Sequence, residues 1–531
     1  MSEKFYITTP IYYPSGKFHI GTAYTEILAD TTKRYKKLRG YDAYLLTGLD
    51  EHGQKIETVA KEKGKTPQEH VDEMANETIK LWKKMDIQYD DFIRTTEPRH
   101  VRVVQEIFEK LLKQEDIYLG EYEGWYCLPC ETYFTETQLV DGKCPDCGRE
   151  VKRMKEESYF FNMKKYQKRL EEFYEQNPDF IEPTSRKNEL FNNFIKPGIE
   201  DLCISRTSFD WGIKVKENPK HVIYVWLDAL TNYITALGYL SDDDSKFKKY
   251  WPADLQIIGK DIIRFHGIYW PIFLMALGLQ MPKKIYAHGF ISIKNGKMSK
   301  SKGNVIYPEQ MIDRYGLDAT KYYLLREFPY DKDMTITPEN FVNRYNGDLA
   351  NDLGNLLNRT IGMINKYFNG ELNTANTENT EFDKALEELI LAKVKETEEN
   401  LDNLHYSDAL EKIWEIVSKS NKYIDDTRPW LLFKSDERED KQKLMSIMVH
   451  LVEALRIVAV LLQPFMNETA NKIFSQLNIN EKDWNSSYEF NINRGIIKVT
   501  KNAEPLFTRL EVEKEMEYLE DLIKGTQAKK D

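Results

Sequence analysis

Two short stretches are the most informative part of the sequence: residues 13–22, Tyr-Pro-Ser-Gly-Lys-Phe-His-Ile-Gly-Thr, and residues 297–301, Lys-Met-Ser-Lys-Ser. The first follows an apolar run of β-forming residues and turns at a Pro-Ser-Gly step before a helical pattern begins. His19 and Gly21 are therefore predicted to lie at a strand-to-helix turn, and a helix N-terminus attracts phosphate. The second stretch brings two lysines on a loop flanked by glycines. Together the two stretches predict one binding site for a nucleoside triphosphate.

The chain around the first stretch alternates strands and helices. Residues 4–9 are predicted to form a strand, residues 21–38 a helix, and residues 42–47 a second, buried strand. This alternation is typical of a parallel sheet, in which ligands lie beyond the carboxyl ends of the strands. Asp50 follows the second strand, so it falls at the same edge of the sheet as the first stretch.

Three later apolar runs, residues 221–227, 255–259 and 284–293, are predicted to supply the second half of this sheet. A helix after the second run carries His266 and Trp270 four residues apart, and thus on one face. Aromatic residues at this spacing more often belong to a core. Their position beside a strand end favours a pocket here.

A phosphate-loop kinase or GTPase is the obvious competing class. The Gly-Lys-Thr sequence at residues 64–66 has Val59 where that motif requires its leading glycine. Thr66 followed by Pro67 is instead typical of a helix start. The sequence therefore excludes this class.

Four of the five cysteines form two Cys-x2-Cys pairs: Cys127 with Cys130, and Cys144 with Cys147. Four thiolates at this spacing suit tetrahedral zinc, and a site with four protein ligands leaves no open position for water. One structural zinc per chain is expected. Disulfides are the alternative, which the lack of a secretory signal core disfavours. Cys203 is predicted to be inert packing.

Length and composition limit the number of structural units, the partners and the cellular location that can be expected. A chain of 531 residues with 41% hydrophobic residues can bury several cores, so three or more structural units are expected. A net charge of -11 is not typical of a nucleic-acid binder, so any RNA contact must rest on local basic patches. The most apolar long stretch, residues 445–466, carries His450, Glu453 and Arg456 and does not suit a bilayer. We expect a cytoplasmic protein with no membrane partner.

The two opening stretches resemble the HIGH and KMSKS signatures of class I aminoacyl-tRNA synthetases. The second matches letter for letter, and the first ends in Thr22 in place of the final histidine. The resemblance implies catalytic roles for His19, Gly21, Thr22, Lys297, Lys300 and Arg206. It implies ATP contacts from His19, Gly21, Gly259, Asp261 and Lys300, with Mg²⁺ bridging the phosphates. For Arg206 a surface ion pair is the alternative interpretation.

A closer resemblance, to the methionyl-tRNA synthetase family, rests on residues after the strand ends and on the four-cysteine segment. It implies a methionine pocket formed by Pro10, Ile11, Tyr13, Asp50, Trp226, Ala229, Leu230, Tyr233, His266 and Trp270. The chemistry of these residues suits methionine, because a carboxylate such as Asp50 would hold the α-ammonium. Aromatic rings around a thioether make contacts worth ~0.3 to 1.5 kcal/mol each. His266 and a tyrosine hydroxyl would each offer the sulfur a weak hydrogen bond.

The reaction implied is adenylation followed by acyl transfer. The carboxylate of methionine attacks the α-phosphorus of ATP, pyrophosphate leaves, and the 3′-terminal adenosine of methionine tRNA takes the acyl group. The resemblance also implies an anticodon-binding surface on a helical bundle, with Asn355, Arg359, Pro429 and Trp430. For Trp430 the alternative is helix packing, and for Arg359 it is a surface ion pair.

The predicted fold class is α/β: a Rossmann-like parallel-sheet nucleotide-binding domain, split by a zinc-binding insertion and followed by an all-α bundle. The predicted units are residues 1–117 and 221–325 (the two catalytic halves), 118–220 (the insertion), 326–345 (a connector) and 346–531 (the bundle). In the bundle, residues 367–381 are predicted as a loop, 434–443 as a charged connector, 485–500 as strand or loop, and 511–522 as a helix.

Some members of the family continue into an oligomer-forming domain, and the sequence stops before one, so a monomer is expected. Two other functions remain open at this point. The chain could be another class I synthetase or adenylate-forming enzyme, or a tRNA-binding or regulatory protein that kept the fold and lost catalysis. Intact residues 297–301 and His19 weigh against the last.

Overall fold

The structure, a computed structural model, describes residues 2–128, 132–134, 136–145, 147–293, 296–297 and 305–524. The predicted ligand Cys130 and the predicted catalytic Lys300 lie outside these residues. The chain divides into two compact units, Met1–Phe18 with Tyr41–Gly289, and His19–Gly40 with Phe290–Asp531.

The strands of the described residues, in chain order, are β1 Lys4–Tyr12, β2 Asp42–Leu49, β3 Asp91–Arg94, β4 Ile117–Cys127, β5 Thr132–Phe134, β6 Lys152–Phe161, β7 Ile181–Glu182, β8 Leu202–Cys203, β9 Ser205–Arg206, β10 Val222–Ile223, β11 Leu255–Gly259, β12 Ile285–His288, β13 Ile291–Ile293, β14 Gly296–Lys297, β15 Met334–Ile336, β16 Glu371–Asn373 and β17 Ile496–Lys498.

The α-helices are α1 Ile20–Leu38, α2 Gln54–Glu62, α3 Pro67–Lys84, α4 Pro98–Lys113, α5 Gln167–Gln176, α6 Thr184–Leu190, α7 Val225–Leu230, α8 Asn232–Thr235, α9 Ser245–Tyr250, α10 Trp270–Leu277, α11 Pro308–Tyr315, α12 Leu317–Glu327, α13 Pro338–Arg344, α14 Asn355–Phe368, α15 Asp383–Asp402, α16 Tyr406–Thr427, α17 Pro429–Lys434, α18 Arg438–Leu462, α19 Asn467–Leu477 and α20 Val512–Lys524. Within the ranges that the structure describes, three π-helical segments lie next to α-helices: Phe191–Ile195, Phe265–Tyr269 and Tyr345–Gly354.

The first unit is built on a six-stranded sheet in the order β3-β2-β1-β11-β12-β7, and every pair of neighbours in it is parallel. Its central strands are apolar and buried along most of their length, as expected for a sheet covered on both faces. The predicted strands at residues 4–9, 42–47 and 255–259 are confirmed, and so is the Rossmann-like fold class.

The other two predicted runs of the second half are partly wrong. Residues 221–227 contain only the short β10, which pairs with β9 in a separate sheet, and the chain then enters helix α7. Short apolar runs do not distinguish strand from helix. Here Asp228 on α7 hydrogen-bonds to His52 and His100, both far away in sequence. Residues 284–293 divide into β12, which joins the main sheet, and β13, which pairs with β14 and β15 in the second unit.

The segment predicted as an insertion also contributes to the main sheet. Four of its strands form the antiparallel sheet β5-β4-β6-β8, but β7 pairs in parallel with β12 at the edge of the six-stranded sheet. A two-residue strand has too little periodicity to be seen in sequence, so only its partner reveals it.

The second unit is mainly helical. The expectation that residues 346–531 are all-α is wrong in detail, because β16, inside the predicted loop 367–381, pairs with β17. β17 lies in the stretch 485–500, which is predicted as strand or loop. The predicted connector 434–443 is in part helix, since α18 begins at Arg438. The last predicted helix is confirmed as α20.

Among the described residues, one helix, α18, is long and apolar enough to cross a membrane by length and composition alone. Of its most apolar window, 94% is buried inside the protein, as in the core helix of a folded bundle. Its buried Arg456 makes an ion pair of 2.6 Å with Glu453 on the same helix. These charges are satisfied within the bundle.

Candidate active site

The carboxyl ends of β1 and β2 lie side by side in the first unit. Tyr12 and Leu49 are paired at the ends of the two strands, and the Asp50 backbone N–H donates to the Tyr12 carbonyl at 3.0 Å. The Asp50 side chain is nearly buried. The structure thus places Asp50 beside the strand end that carries Pro10, Ile11 and the following Tyr13.

Tyr233, His266 and Trp270 form a buried aromatic group in the same unit. The Tyr233 ring centroid lies 5.7 Å from that of His266 and 5.8 Å from that of Trp270, and no side chain of the three is more than 2% exposed. His266 and Trp270 come together because a π-helical turn leads directly into α10. The predicted shared face is therefore present.

Burial and hydrogen bonds together set the charge and the tautomer of the His266 ring. Its Nδ1–H donates to the Ile262 carbonyl at 3.0 Å, so Nε2 is the acceptor and the Tyr233 hydroxyl donates to it at 2.7 Å. Burial lowers the pKa of His266 to about 4, so the ring is neutral. The His266 N–H and the Tyr233 hydroxyl are both used inside the protein, which disfavours a hydrogen bond from either group to a thioether. The pair forms a rigid wall instead.

Trp226, Ala229 and Leu230 lie on helix α7. The Trp226 ring stacks on Phe265, with centroids 3.5 Å apart and an angle of 12° between the planes. Trp226 and Ile11 pack against the buried Ala229. Phe265 was not predicted from the sequence to be a pocket residue. Its position directly before His266 was the signal that could have identified it.

Gly259, at the carboxyl end of β11, is followed by a 3-10 turn that carries Asp261. A Cβ on Gly259 would lie only 2.4 Å from the Asp261 carboxylate oxygen, so a larger residue there would displace this carboxylate. His288, paired with Gly259 at the end of β12, lies beside them and was not identified from sequence. Burial lowers the pKa of His288 to about 4.

Arg206 is fully buried, which makes the alternative of a surface ion pair wrong. Its Nε donates to Glu156 at 2.5 Å and one terminal nitrogen donates to Ser208 at 2.9 Å. The guanidinium lies 4.1 Å from the Tyr126 ring centroid. The charge is thus held by one carboxylate and an aromatic face.

His19 is the N-cap residue of α1, in the second unit. Its Nδ1 accepts a hydrogen bond of 3.0 Å from the Gly21 N–H, so in the neutral ring Nε2 carries the proton. A Cβ on Gly21 would lie 2.8 Å from the imidazole, which explains why glycine follows two residues after the histidine. Thr22 donates its backbone N–H to the His19 carbonyl at 3.0 Å.

A backbone hydrogen bond joins the first signature to the chain that follows the second, within the second unit. The Ile20 N–H donates to the carbonyl of Ile306, shortly after the second signature, at 3.0 Å. The Lys297 backbone pairs with Ser292 in the hairpin of β13 and β14. Lys300 lies outside the described residues.

Three of the predicted metal ligands come together in the first unit. The sulfur atoms of Cys127, Cys144 and Cys147 all lie within 4.8 Å of one another, and those of Cys127 and Cys147 are 3.5 Å apart. A disulfide has sulfurs about 2.05 Å apart, so this alternative is wrong for these residues. Tetrahedral zinc with bonds of about 2.3 Å would hold its sulfurs roughly 3.8 Å apart. The cluster could bind a metal.

The residues predicted to bind the anticodon lie in the second unit. Asn355 begins α14 and is exposed, and Arg359 on the same helix pairs with Asp425 at 2.9 Å. The surface ion pair considered for Arg359 is therefore present. Pro429 is buried at the start of α17, whereas Trp430 is 40% exposed. That exposure disfavours helix packing as the role of Trp430.

Comparison with known proteins defines the class. A family model described as tRNA synthetases class I (M) matches residues 5–156 and 148–361, and a model of the anticodon binding domain of methionyl tRNA ligase matches residues 374–527. These matches show a class I aminoacyl-tRNA synthetase, as the signature stretches predict.

The relatives narrow the class further. The chain is 57% identical over 536 residues to a methionine–tRNA ligase of Listeria monocytogenes serotype 4b, a match that covers 98% of this chain and 80% of that protein. It is 55% identical over 541 residues to the enzyme of Bacillus subtilis, covering 99% and 81%. A solved Mycobacterium tuberculosis methionyl-tRNA synthetase in complex with methionyl-adenylate matches with a TM-score of 0.91 and 38% identity, over 96% of this chain and 100% of that one. The chain belongs to the methionyl-tRNA synthetase family, and the predicted enzyme class is confirmed.

Proposed function

We propose that this chain activates methionine with ATP and transfers it to the 3′ end of methionine tRNA, using the residues described above. The observation that carries the choice of amino acid is the buried group of Tyr233, neutral His266 and Trp270. It presents aromatic surface and no net charge, which suits an unbranched thioether. Asp50, beside the end of β1, supplies the single carboxylate that the α-ammonium requires. Pro10, Ile11, Tyr13, Trp226, Ala229 and Leu230 complete the proposed pocket.

The phosphate chemistry needs no side-chain nucleophile, because the substrate carboxylate attacks the α-phosphorus. Catalysis then rests on alignment and on stabilising the charge that develops on the phosphate oxygens. We assign the His19 Nε2–H, Lys297 and Lys300 to that charge, and Asp261 to the ribose. Gly21 and Gly259 allow close approach. Thr22 and Arg206 are proposed to contribute to activation, and Mg²⁺ enters with the ATP.

Pyrophosphate exchange measured with each of the twenty amino acids tests this proposal. Methionine should support exchange far better than the other nineteen, without any tRNA. A different preferred amino acid would favour another class I specificity, and no exchange at all would favour a tRNA-binding protein without catalysis. A cytoplasmic location is part of the proposal, since the tRNA substrate is there.

The Cys127, Cys130, Cys144 and Cys147 thiolates are proposed to hold one structural zinc, which would fix the tip of the antiparallel sheet and take no part in the reaction. Purified protein should carry about one zinc per chain, as one four-thiolate site requires. Cys144→Ser should lower the zinc content measured by elemental analysis. Cys203→Ser is the matched control and should keep it, because Cys203 does not belong to the cysteine cluster and its thiol donates to the Ser205 carbonyl. Zinc-free protein, never exposed to chelator, would contradict the assignment.

Asn355, Arg359, Pro429 and Trp430 are proposed to bind the anticodon, since unpaired bases stack on aromatic rings and guanidinium planes. A lost stacking contact costs about 1 to 3 kcal/mol, so Trp430→Ala should cut aminoacylation of methionine tRNA roughly ten- to a hundredfold. Pyrophosphate exchange without tRNA should stay intact, and so should the melting temperature.

Trp414→Ala is the contrasting variant. Trp414 is buried, donates to the Asp348 carbonyl at 3.1 Å and packs on Tyr322 at 4.4 Å, so its loss should lower the melting temperature. If Trp430→Ala behaves in the same way, with both activities reduced together, Trp430 is a packing residue and other side chains bind the anticodon.

A further inference from the structure

Asp228 lies at the centre of a buried polar network in the first unit. Its side chain is fully buried, with one carboxylate oxygen 2.6 Å from His52 Nδ1 and the other 2.7 Å from His100 Nε2. A buried carboxylate is costly unless it is paired and hydrogen-bonded. Here both oxygens are paired, by imidazoles from two different parts of the chain.

The two histidines connect different elements to the proposed pocket. His52 follows Asp50 by two residues, in a loop that is also held by Trp211, whose Nε1–H donates to the Glu51 carbonyl at 2.6 Å. His100 lies on α4 and its Nδ1 is 2.7 Å from the Thr235 hydroxyl on α8.

Asp228 itself lies on α7, two residues after Trp226 and one before Ala229. The Asp228 carboxylate therefore links two elements. One is the loop of Asp50, which is proposed to hold the ammonium, and the other is helix α7, which is proposed to contact the methionine side chain.

We propose that Asp228, acting through His52 and His100, holds the Asp50 loop and helix α7 at a fixed separation and thereby selects an amino acid of methionine's length. In an amino acid the α-ammonium and the end of the side chain are a fixed number of bonds apart. A pocket measures that length only if its two ends cannot move relative to each other. This inference rests on the proposed function. Asp228, His52 and His100 are positioning residues, with Asp50 and the α7 side chains as the groups that touch substrate.

The protonation of the network fits this role. Burial by itself would raise the pKa of the Asp228 carboxyl, but the attraction of His52 and the hydrogen bonds from His100 and His52 outweigh burial and lower that pKa. The carboxylate is ionised and accepts an N–H from each ring. In Asp228→Asn the amide NH2 would face an imidazole N–H, so one of the two bonds is lost together with the charge.

The test is pyrophosphate exchange with methionine and with its shorter and longer analogues homocysteine and ethionine. A buried group left unpaired costs enough that Asp228→Asn should raise the KM for methionine about 10- to 100-fold, with the KM for ATP unchanged. The ratio of kcat/KM for methionine over either analogue should fall. His52→Leu, which removes the donor, should do the same. His52→Asn, whose side-chain amide can still donate to Asp228, should restore most of the loss.

Asp116→Asn is the matched control, because Asp116 is a carboxylate 1% exposed in the same unit and is paired with Lys165 and Tyr166. Loss of the Asp116 charge should lower the melting temperature and leave the KM for methionine unchanged. The inference is overturned if Asp228→Asn matches Asp116→Asn in both measurements.

If Asp228→Asn does not fold, the two His52 variants decide, and equal KM values for His52→Leu and wild type overturn the inference. Failure of the wild type to exchange with methionine would instead overturn the proposed function.

Discussion

Asp50→Asn is expected to raise the dissociation constant for methionine about 30- to 5,000-fold, because removing one partner of a buried charge pair costs about 2 to 5 kcal/mol. The substitution keeps the size of the side chain and leaves the backbone bond from Asp50 to the Tyr12 carbonyl in place. The fold of the strand end should therefore survive, and ATP affinity should change little. Calorimetric titration of methionine and of ATP measures the two effects separately.

A methionine analogue that lacks the amino group provides the control for Asp50. The analogue should bind weakly to the wild type, and Asp50→Asn should weaken it no further, because it carries no ammonium for the carboxylate to hold. An equal loss for methionine and for the analogue would show that Asp50 supports the shape of the pocket and does not hold the ammonium.

His19→Asn is expected to reduce kcat for pyrophosphate exchange about 10²- to 10³-fold, the cost of removing one donor from developing oxyanion charge. The asparagine oxygen can accept from the Gly21 N–H as the His19 Nδ1 does, so the helix cap is kept. The Nε2–H is lost, because asparagine does not reach that far. The KM for methionine and the melting temperature should change little.

His19→Ala separates capping from catalysis. It removes both the cap and the donor, and loss of an N-cap costs about 0.5 to 2 kcal/mol, so this variant should also melt at a lower temperature. If His19→Asn keeps the full rate while His19→Ala loses it, the role of His19 is capping alone and the phosphate donor is another group.

Local features of the molecule could be predicted from the sequence. Strands β1, β2 and β11, helix α1 and the cysteine pairs all depend on spacing over a few residues, and apolar periodicity reports such spacing directly. The place of His19 at a helix start follows from the turn before it. Asp50 could be placed at a strand end because the strand before it was recognisable.

Features whose interaction partners are far away in sequence became visible only in the folded chain. Residues 225–230 form a helix, and Asp228 on that helix hydrogen-bonds to His52 and His100. The two-residue strand β7 is recognisable only because β12 lies beside it. The buried charge of Arg206 is stabilised by Glu156 and by the ring of Tyr126, which come from other parts of the chain. The donor state of His266 was set by Tyr233 and the Ile262 carbonyl together.

The sequence was therefore enough to recognise the family that the chain resembles and the residues of its signatures, because short motifs carry both. The tertiary structure decided which of those residues are neutral, which are buried and which hold another in place. A protonation state or a buried ion pair depends on the dielectric surroundings and on all partners at once, and no short stretch of sequence contains them.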